Sequence, residues 1–336
     1  MAILDVLRLS LFTLLSMFHS PGRLIQRRWM TEFVCRLVKR ILSESKGKPI
    51  DWLRHRTGVM KIRSSAEKNV TFETVTLAGV ACQWCRPKVV SEPRHILVYF
   101  HGGGYVIGSV AGYQNTLAQL AESSDAHVLA VDYRLGPEHL YPAAQQDCLA
   151  VTRQVLKSFP NTPVLLSGDS AGGALAVATS LALANSSGNR KPDALVLLSP
   201  WVHPGCSTGS ITTHAENDVL DEALLQGWLT LYLKGDRPRK SQGYNVSSLA
   251  DLVFTDVDLA TLPPTYVQVA GAEIFFDQII AFVERAKAVG VSVSLDVFEA
   301  QFHVFQTLSP LVPDAKRALV MIGHYIKSVP VLGSKP

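Results

Sequence analysis

Gly168-Asp169-Ser170-Ala171-Gly172-Gly173 is the stretch on which the reading of this 336-residue chain turns. The apolar run 164–167 precedes it and the alanine-rich run 171–184 follows it, so the sequence predicts a strand, a tight turn at Ser170 and a helix. Small residues on both sides of the serine let the chain bend sharply enough to lift its hydroxyl above the end of a sheet. The helix behind it would aim free N–H groups and a positive dipole end at any oxyanion forming beside Ser170. A lone G-x-S-x-G is a weak signal, but two further motifs fall where this one requires them. Together they imply nucleophilic chemistry at a serine.

The second motif, His101-Gly102-Gly103-Gly104-Tyr105, closes the β-rich run 95–100. Consecutive glycines at the end of a strand can turn backbone N–H groups inward with no Cβ in the way, which is what an oxyanion hole needs. A phosphate-cradling loop would show G-x-G-x-x-G spacing or a following Lys-Ser/Thr, and neither is present. The third motif is an acid and a base. In α/β-hydrolases the nucleophile precedes the acid, and the acid precedes the histidine. Of the four histidines after Ser170, His203 lies ahead of any acid-bearing strand. His214 sits in a polar insert, and His324 lies in an amphipathic segment. His303 follows the β-branched run 291–298 and is the expected base. Glu273 directly follows the run 265–270 and is the expected acid. Asp277, placed where a helix carries a first-turn acid, is the alternative.

HGGGY, the segment Asp132-Tyr133-Arg134-Leu135-Gly136-Pro137-Glu138-His139, GDSAGG, Leu198-Ser199-Pro200-Trp201 and the Glu273/His303 pair together resemble the hormone-sensitive-lipase family of α/β-hydrolase esterases over roughly residues 70–325. The resemblance implies a carboxylesterase acting on short or medium acyl esters through an acyl-enzyme on Ser170. It also implies that Gly103, Gly104 and the N–H of Ala171 hold the oxyanion while Gly102 shapes the loop. Asp132 and Arg134 would tie the loop after a strand and carry no chemistry. Two features depart from the family pattern: the acid is Glu where many members have Asp, and the usual Asp-x-x-x-Asp spacing appears as Glu273-x-x-x-Asp277. Gly136 before Pro137, where Ala is common, puts nothing in doubt. Related chemistry on the same scaffold (a lactonase, an acyl transferase or a tailoring hydrolase) shares the acyl-enzyme. Plant gibberellin receptors share the scaffold but lack a working histidine, so His303 argues against a purely binding role.

The rest of the chain fits an α/β-hydrolase fold with an eight-stranded, mostly parallel sheet flanked by helices, plus a helical cap. Strands are expected over 70–76, 79–86, 96–100, 126–131, 164–167, 194–199, 265–270 and 291–298, the first two antiparallel. Helices are expected over 112–122, 143–157, 171–184, 277–289 and 314–326. With 47% hydrophobic residues, the length suits one large core rather than two independent domains. Residues 1–68 read as an N-terminal helical cap segment, and 69–336 as the catalytic domain with a cap insert at about 201–258. By the resemblance, these two segments fold together as a lid. Phe12, Met17, Trp29, Trp228 and Tyr232 are candidates to line a pocket beneath it.

Charge is uneven. Residues 1–63 hold thirteen Lys/Arg against four Asp/Glu, on a body that is mildly acidic. The apolar run 3–18 followed by Arg23, Arg27 and Arg28 reads as a membrane-surface helix or as a cap helix, and is too short and too charged for a transmembrane span. No signal-peptide cleavage site is evident. The cations are interleaved with aliphatic rather than stacking residues, which argues against nucleic acid as a partner. Cys82-Gln-Trp-Cys85 has the spacing of a metal or redox pair. It lies in an expected strand, where residues three apart point to opposite faces, so the five cysteines imply no disulfide and no metal site. No cofactor is expected, and the partner is a small ester. Sequons at Asn69, Asn185 and Asn245 point weakly to a secretory lumen. The cysteine usage favours an intracellular protein, cytoplasmic or peripheral at a membrane.

Overall fold

Strands β1 (Val70–Leu77), β2 (Val80–Pro87), β3 (Ile96–Phe100), β4 (His127–Val131), β5 (Val164–Asp169), β6 (Ala194–Leu198), β7 (Thr265–Ala270) and β8 (Val293–Phe298) form one sheet. Their spatial order is β1-β2-β4-β3-β5-β6-β7-β8 in the computed structural model, which describes residues 9–14, 16–17, 27–59, 62–186, 188, 190–205, 209–235 and 254–331. The β1–β2 hairpin and the β2–β4 pair are antiparallel, and every pair from β4 to β8 is parallel. β3 through β7 are buried along their whole length, as continuous apolar runs covered by helices on both faces should be.

The helices that position the site are, in chain order, α1 (Trp29–Glu44), α2 (Ile50–Val59), α3 (Val110–Ser124), α4 (Ala143–Ser158), α5 (Ala171–Ala184), α6 (Gly209–Thr213), α7 (Glu222–Lys234), α8 (Asp256–Leu259), α9 (Phe276–Ala288) and α10 (Pro313–Ser328). One face of the sheet is covered by α3 and α10 through Leu117, Leu120, Leu319 and Ile322. The other packs against α4, α5 and α9 through Val151, Leu175, Val177, Ile279 and Phe282. Cys82 joins the second of these cores and Cys85 the first, so the pair does point to opposite faces. Burial pushes both thiols up to about 12, which keeps them protonated and unsuited to metal binding at neutral pH.

The expected strands and helices are present, with ends displaced by a few residues. The largest differences have local causes. α3 begins at Val110 because the Ser109 hydroxyl accepts from the Gly112 N–H and caps it. α10 begins at Pro313, whose missing N–H is harmless in a first turn. β5 runs two residues past the expected end, to Asp169, so the bend falls directly at Ser170. The insert carries α7, capped by Asp221, which accepts from the Leu224 N–H at 3.0 Å.

The N-terminal helices are tied to the body by cations. Arg54 on α2 donates to the carbonyls of Val106 and Gly136 and makes a two-pronged pair with Glu138. Lys39 on α1 donates to the Ala215 carbonyl at 2.6 Å, and Lys46 pairs with Asp221 at 2.6 Å. Arg134 ties its loop to α4, its N–H and guanidinium both donating to Asp147, and Asp132 ties the same loop by accepting from the Val110 N–H. Expectations for residues 1–8, 18–26 and 236–253, and for Cys206 and Asn245, lie outside the described residues. No described helix is long and apolar enough to cross a membrane.

The close approach of α5 to β3 is the tightest joint in the fold. A Cβ at Gly172 would stand 2.0 Å from the Phe100 carbonyl oxygen. Gly172→Ala is therefore expected to lower stability by about 3 kcal/mol in urea denaturation. Gly227→Ala, in α7 with nothing within 4 Å, should raise it by about 0.5 kcal/mol. Equal effects at the two positions would contradict this account of the joint.

Candidate active site

Ser170 sits between β5 and α5 with φ 52° and ψ −121°, a conformation that a non-glycine residue adopts only under constraint. Two backbone bonds impose it. The Ser170 N–H donates to the Leu198 carbonyl at 3.0 Å, and its own carbonyl accepts from the Trp201 N–H at 2.9 Å. The hydroxyl therefore stands at the first turn of a helix whose leading N–H groups have no partner within that helix.

The glycine loop faces it across the end of β3. Gly103, at φ 117°, cannot carry a side chain, because a Cβ there would meet the Ile107 carbonyl oxygen at 2.2 Å. The Gly102 N–H is already engaged, donating to Asp169 Oδ1 at 2.9 Å. Among the described residues no protein acceptor takes the N–H groups of Gly103, Gly104 or Ala171. Gly102 thus anchors the loop, and the amides of Gly103, Gly104 and Ala171 remain without a protein acceptor.

Asp169 is the residue whose importance the sequence concealed. Fully buried, its carboxylate accepts from the Tyr99 hydroxyl at 2.8 Å, the Tyr113 hydroxyl at 2.8 Å and the Gly102 amide. Burial raises it to about 6, and these three donors hold it down against that push. His101 props the loop from below: its Nδ1 donates to the Gly102 carbonyl at 2.7 Å, and its ring stacks on Tyr133. Tyr133 in turn donates to the His101 carbonyl at 2.6 Å.

Glu273 and His303 meet on the loops after β7 and β8. Nδ1 of His303 faces Oε2 of Glu273 at 3.4 Å, with both side chains nearly or wholly buried. Asp277 instead lies in the first turn of α9, and its Oδ2 accepts from the Ser210 N–H at 2.8 Å. His214 donates from Nδ1 to the Glu273 carbonyl, and His324 is exposed on α10. Burial pushes the Glu273 carboxyl up to about 8, opposed by the neighbouring Ser199 hydroxyl. Burial also lowers His303, so a neutral imidazole is the resting form at neutral pH. The His303 ring is held edge-on by Phe275, which stacks on Trp201, Tyr105 and then Tyr232 in a continuous aromatic wall.

Ser170, His303, Gly102 and Gly103 open into one cavity of about 260 Å³. Its apolar walls are Val38, Ile41 and Leu42 of α1, together with Val219, Trp228 and Phe302. Of the five residues expected to line a pocket, only Trp228 does so. Tyr232 is buried behind it against Tyr105, Met17 is half-buried and off the cavity, and Phe12 and Trp29 are exposed on the outer surface. The wall comes from the next helix along the chain, α1, whose inner face carries Val38, Ile41 and Leu42. Among the described residues no cluster of His, Cys, Asp and Glu could hold a metal ion.

Residues 97–307 match the model of the α/β-hydrolase fold family. An acetyl-hydrolase of Streptomyces hygroscopicus is 33% identical over 265 residues, spanning 78% of this chain and 85% of that protein. An esterase of Acinetobacter venetianus is 31% identical, over 77% of this chain and 83% of its own. The crystal structure of an esterase from the bacterial hormone-sensitive-lipase family superposes with a TM-score of 0.77 at 31% identity, covering 91% of this chain and 99% of that one. The chain belongs to the α/β-hydrolase family, in its hormone-sensitive-lipase branch.

The raised Glu273 has a consequence independent of any reaction. A folded value near 8 against an ordinary value of 4.5 means that the folded state keeps a proton the unfolded state releases. The contribution of Glu273 to stability is full below about pH 4.5 and is lost as pH rises through about 8. Glu273→Gln, neutral and nearly isosteric, is expected to flatten this decline when urea midpoints are compared from about pH 5 to pH 9. Parallel curves for the two proteins would rule it out.

Proposed function

We propose that this carboxylesterase-type hydrolase cleaves short to medium acyl esters through Ser170, His303 and Glu273. The carrying observation is a constrained serine and a buried histidine paired with Glu273 at one small apolar cavity, beside three backbone amides that no protein acceptor among the described residues takes. Nε2 of His303 takes the Ser170 proton as Oγ attacks the ester carbonyl, and Glu273 stabilises the imidazolium through Nδ1–H. The developing oxyanion is received by the amides of Gly103, Gly104 and Ala171. His303 then protonates the departing alkoxide. Water repeats the sequence on the acyl-enzyme and frees the acid.

Cavity size supports the acyl range. An apolar cavity of about 150 Å³ holds a six-carbon ring. At about 260 Å³ this one has room for a short or medium chain but not for a palmitoyl group. The name of the Streptomyces hygroscopicus relative, an acetyl-hydrolase, agrees with that range. Residues 1–68 and the insert at about 201–258 act in this reading as a joint cap. In support, α1 and α7 both supply walls, and the N-terminal segment bonds to the insert through Lys39 to Ala215, Cys35 to Asn217 and Lys46 to Asp221.

The outer surface of the N-terminal segment carries a second reading, contact with an anionic bilayer. Leu11, Phe12, Trp29 and Met30 are exposed, and Arg40 lies over the Phe12 ring at 3.8 Å. Apolar side chains set among cations are the composition that enters a charged lipid interface. Co-sedimentation with vesicles containing about one-quarter anionic lipid should weaken with added salt and with the Phe12→Ala/Trp29→Ala double substitution. Binding unaffected by either would exclude it.

Across p-nitrophenyl esters from acetate to palmitate, kcat/KM should peak between acetate and octanoate, and Ser170→Ala should lower kcat by about 10⁶. Glu273 is raised and His303 lowered, so the productive pairing of carboxylate with neutral imidazole grows with pH. Activity should therefore climb about tenfold per pH unit below about 8 and level above it. Folded protein inactive on every chain length would sink the proposal.

A further inference from the structure

Asp218 is a wholly buried carboxylate that the proposed reaction does not use. It lies in the short strap between α6 and α7. Oδ1 accepts from the His303 N–H at 2.8 Å and from its neighbour, the Val219 N–H, at 2.7 Å. Oδ2 accepts from the Ile274 N–H at 2.9 Å. One side chain therefore binds the residue after Glu273 and the backbone of His303, two loops thirty residues apart. The same strap is held from outside by α1. Lys39 donates to the Ala215 carbonyl, and the Cys35 thiol donates to the Asn217 carbonyl at 3.5 Å.

We propose that Asp218 is a positioning residue that sets the acid and base loops relative to each other and makes their alignment depend on the insert. Burying a carboxylate is costly, and three backbone donors are what make it tolerable here. A neutral cap would have filled the space more cheaply, so the retained charge has a consequence. It stands close enough to favour the imidazolium of His303 as it forms. The charged and titratable groups around that imidazole are Glu273 after β7, Asp169 at the end of β5, Asp218 on the strap, His214 behind Glu273, and Arg27, whose guanidinium donates to the Ala300 carbonyl. Asp218 raises His303, and the like charge of Glu273 raises Asp218 in turn.

The inference rests on the triad reading above, and its test separates the two. Asp218→Asn keeps the shape and the Oδ1 bonds but turns an NH₂ toward the Ile274 N–H and removes the charge. On p-nitrophenyl butyrate, kcat should fall by about 30-fold or more with KM within about twofold, since a displacement on the order of 1 Å in such a pair costs about 10²-fold. Losing the charge lowers both Glu273 and His303, so the rising limb of kcat/KM should move about one unit to lower pH. The His303 ring, followed by ¹³C-labelled histidine NMR and assigned with His303→Gln, should titrate lower in the variant. If Asp218→Asn does not fold, Asp218→Ser, which leaves room for water at the three amides, takes its place in the same measurements. Wild-type kcat, or a reduced kcat with the limb and the His303 titration unmoved, would overturn the proposal. If the parent protein shows no Ser170-dependent hydrolysis, the triad reading falls, and the His303 titration alone decides the role of Asp218.

Discussion

A single buried carboxylate, that of Asp169, holds the proposed catalytic apparatus together. It stands one residue before Ser170 and receives the Gly102 amide and the hydroxyls of Tyr99 and Tyr113. Those donors come from the end of β3, the loop after it and helix α3. The strained elbow and the glycine loop are thus fastened to one another by bonds made in a low-dielectric interior, where charge-assisted hydrogen bonds are strong and an unpaired charge would be ruinous. The close seat of Gly172 against Phe100 O is the steric counterpart of the same joint.

The parallel part of the sheet explains why the remaining pieces converge. β3, β5, β6, β7 and β8 run in one direction, so the loops bearing Gly103, Ser170, Ser199, Glu273 and His303 all leave from the same edge. Burial then sets their electrostatics. It lifts Glu273 and depresses His303, while Ser199 and Asp218 oppose one or other of these shifts. Glu273 keeps its contact with His303, and Asp277 is drawn off to the Ser210 amide. α1 and the insert close the remaining side with aliphatic and aromatic groups and leave a cavity of limited volume.

Much of this was legible in the chain because it is local. A strand followed by Gly-Asp-Ser-Ala-Gly-Gly and a small-residue helix has few alternative conformations, and three glycines after β3 imply backbone facing inward. The order of Ser170, Glu273 and His303 followed from the topology those motifs imply. Pocket-lining residues were less legible, since Phe12, Trp29 and Tyr232 are as apolar as Val38 or Ile41 and only packing distinguishes their faces. Asp169 and Ser199 stand inside motifs that give them no role of their own, and Tyr113 and Asp218 carry no local signal, although each bonds to a loop that carries a proposed site residue.

The sequence by itself determined the alternation of strands and helices and the bend at Ser170, and it singled out Glu273 and His303 as the proposed acid and base, because propensity, glycine placement and chain order act over a few residues. Tertiary structure alone decided which helix walls the cavity, which glycine amide is engaged and which carboxylates align the loops. Those outcomes depend on partners far apart in the chain, Asp169 with Tyr113 and Asp218 with His303. Hydrogen bonds of that kind come into being only when burial removes water as the competing partner.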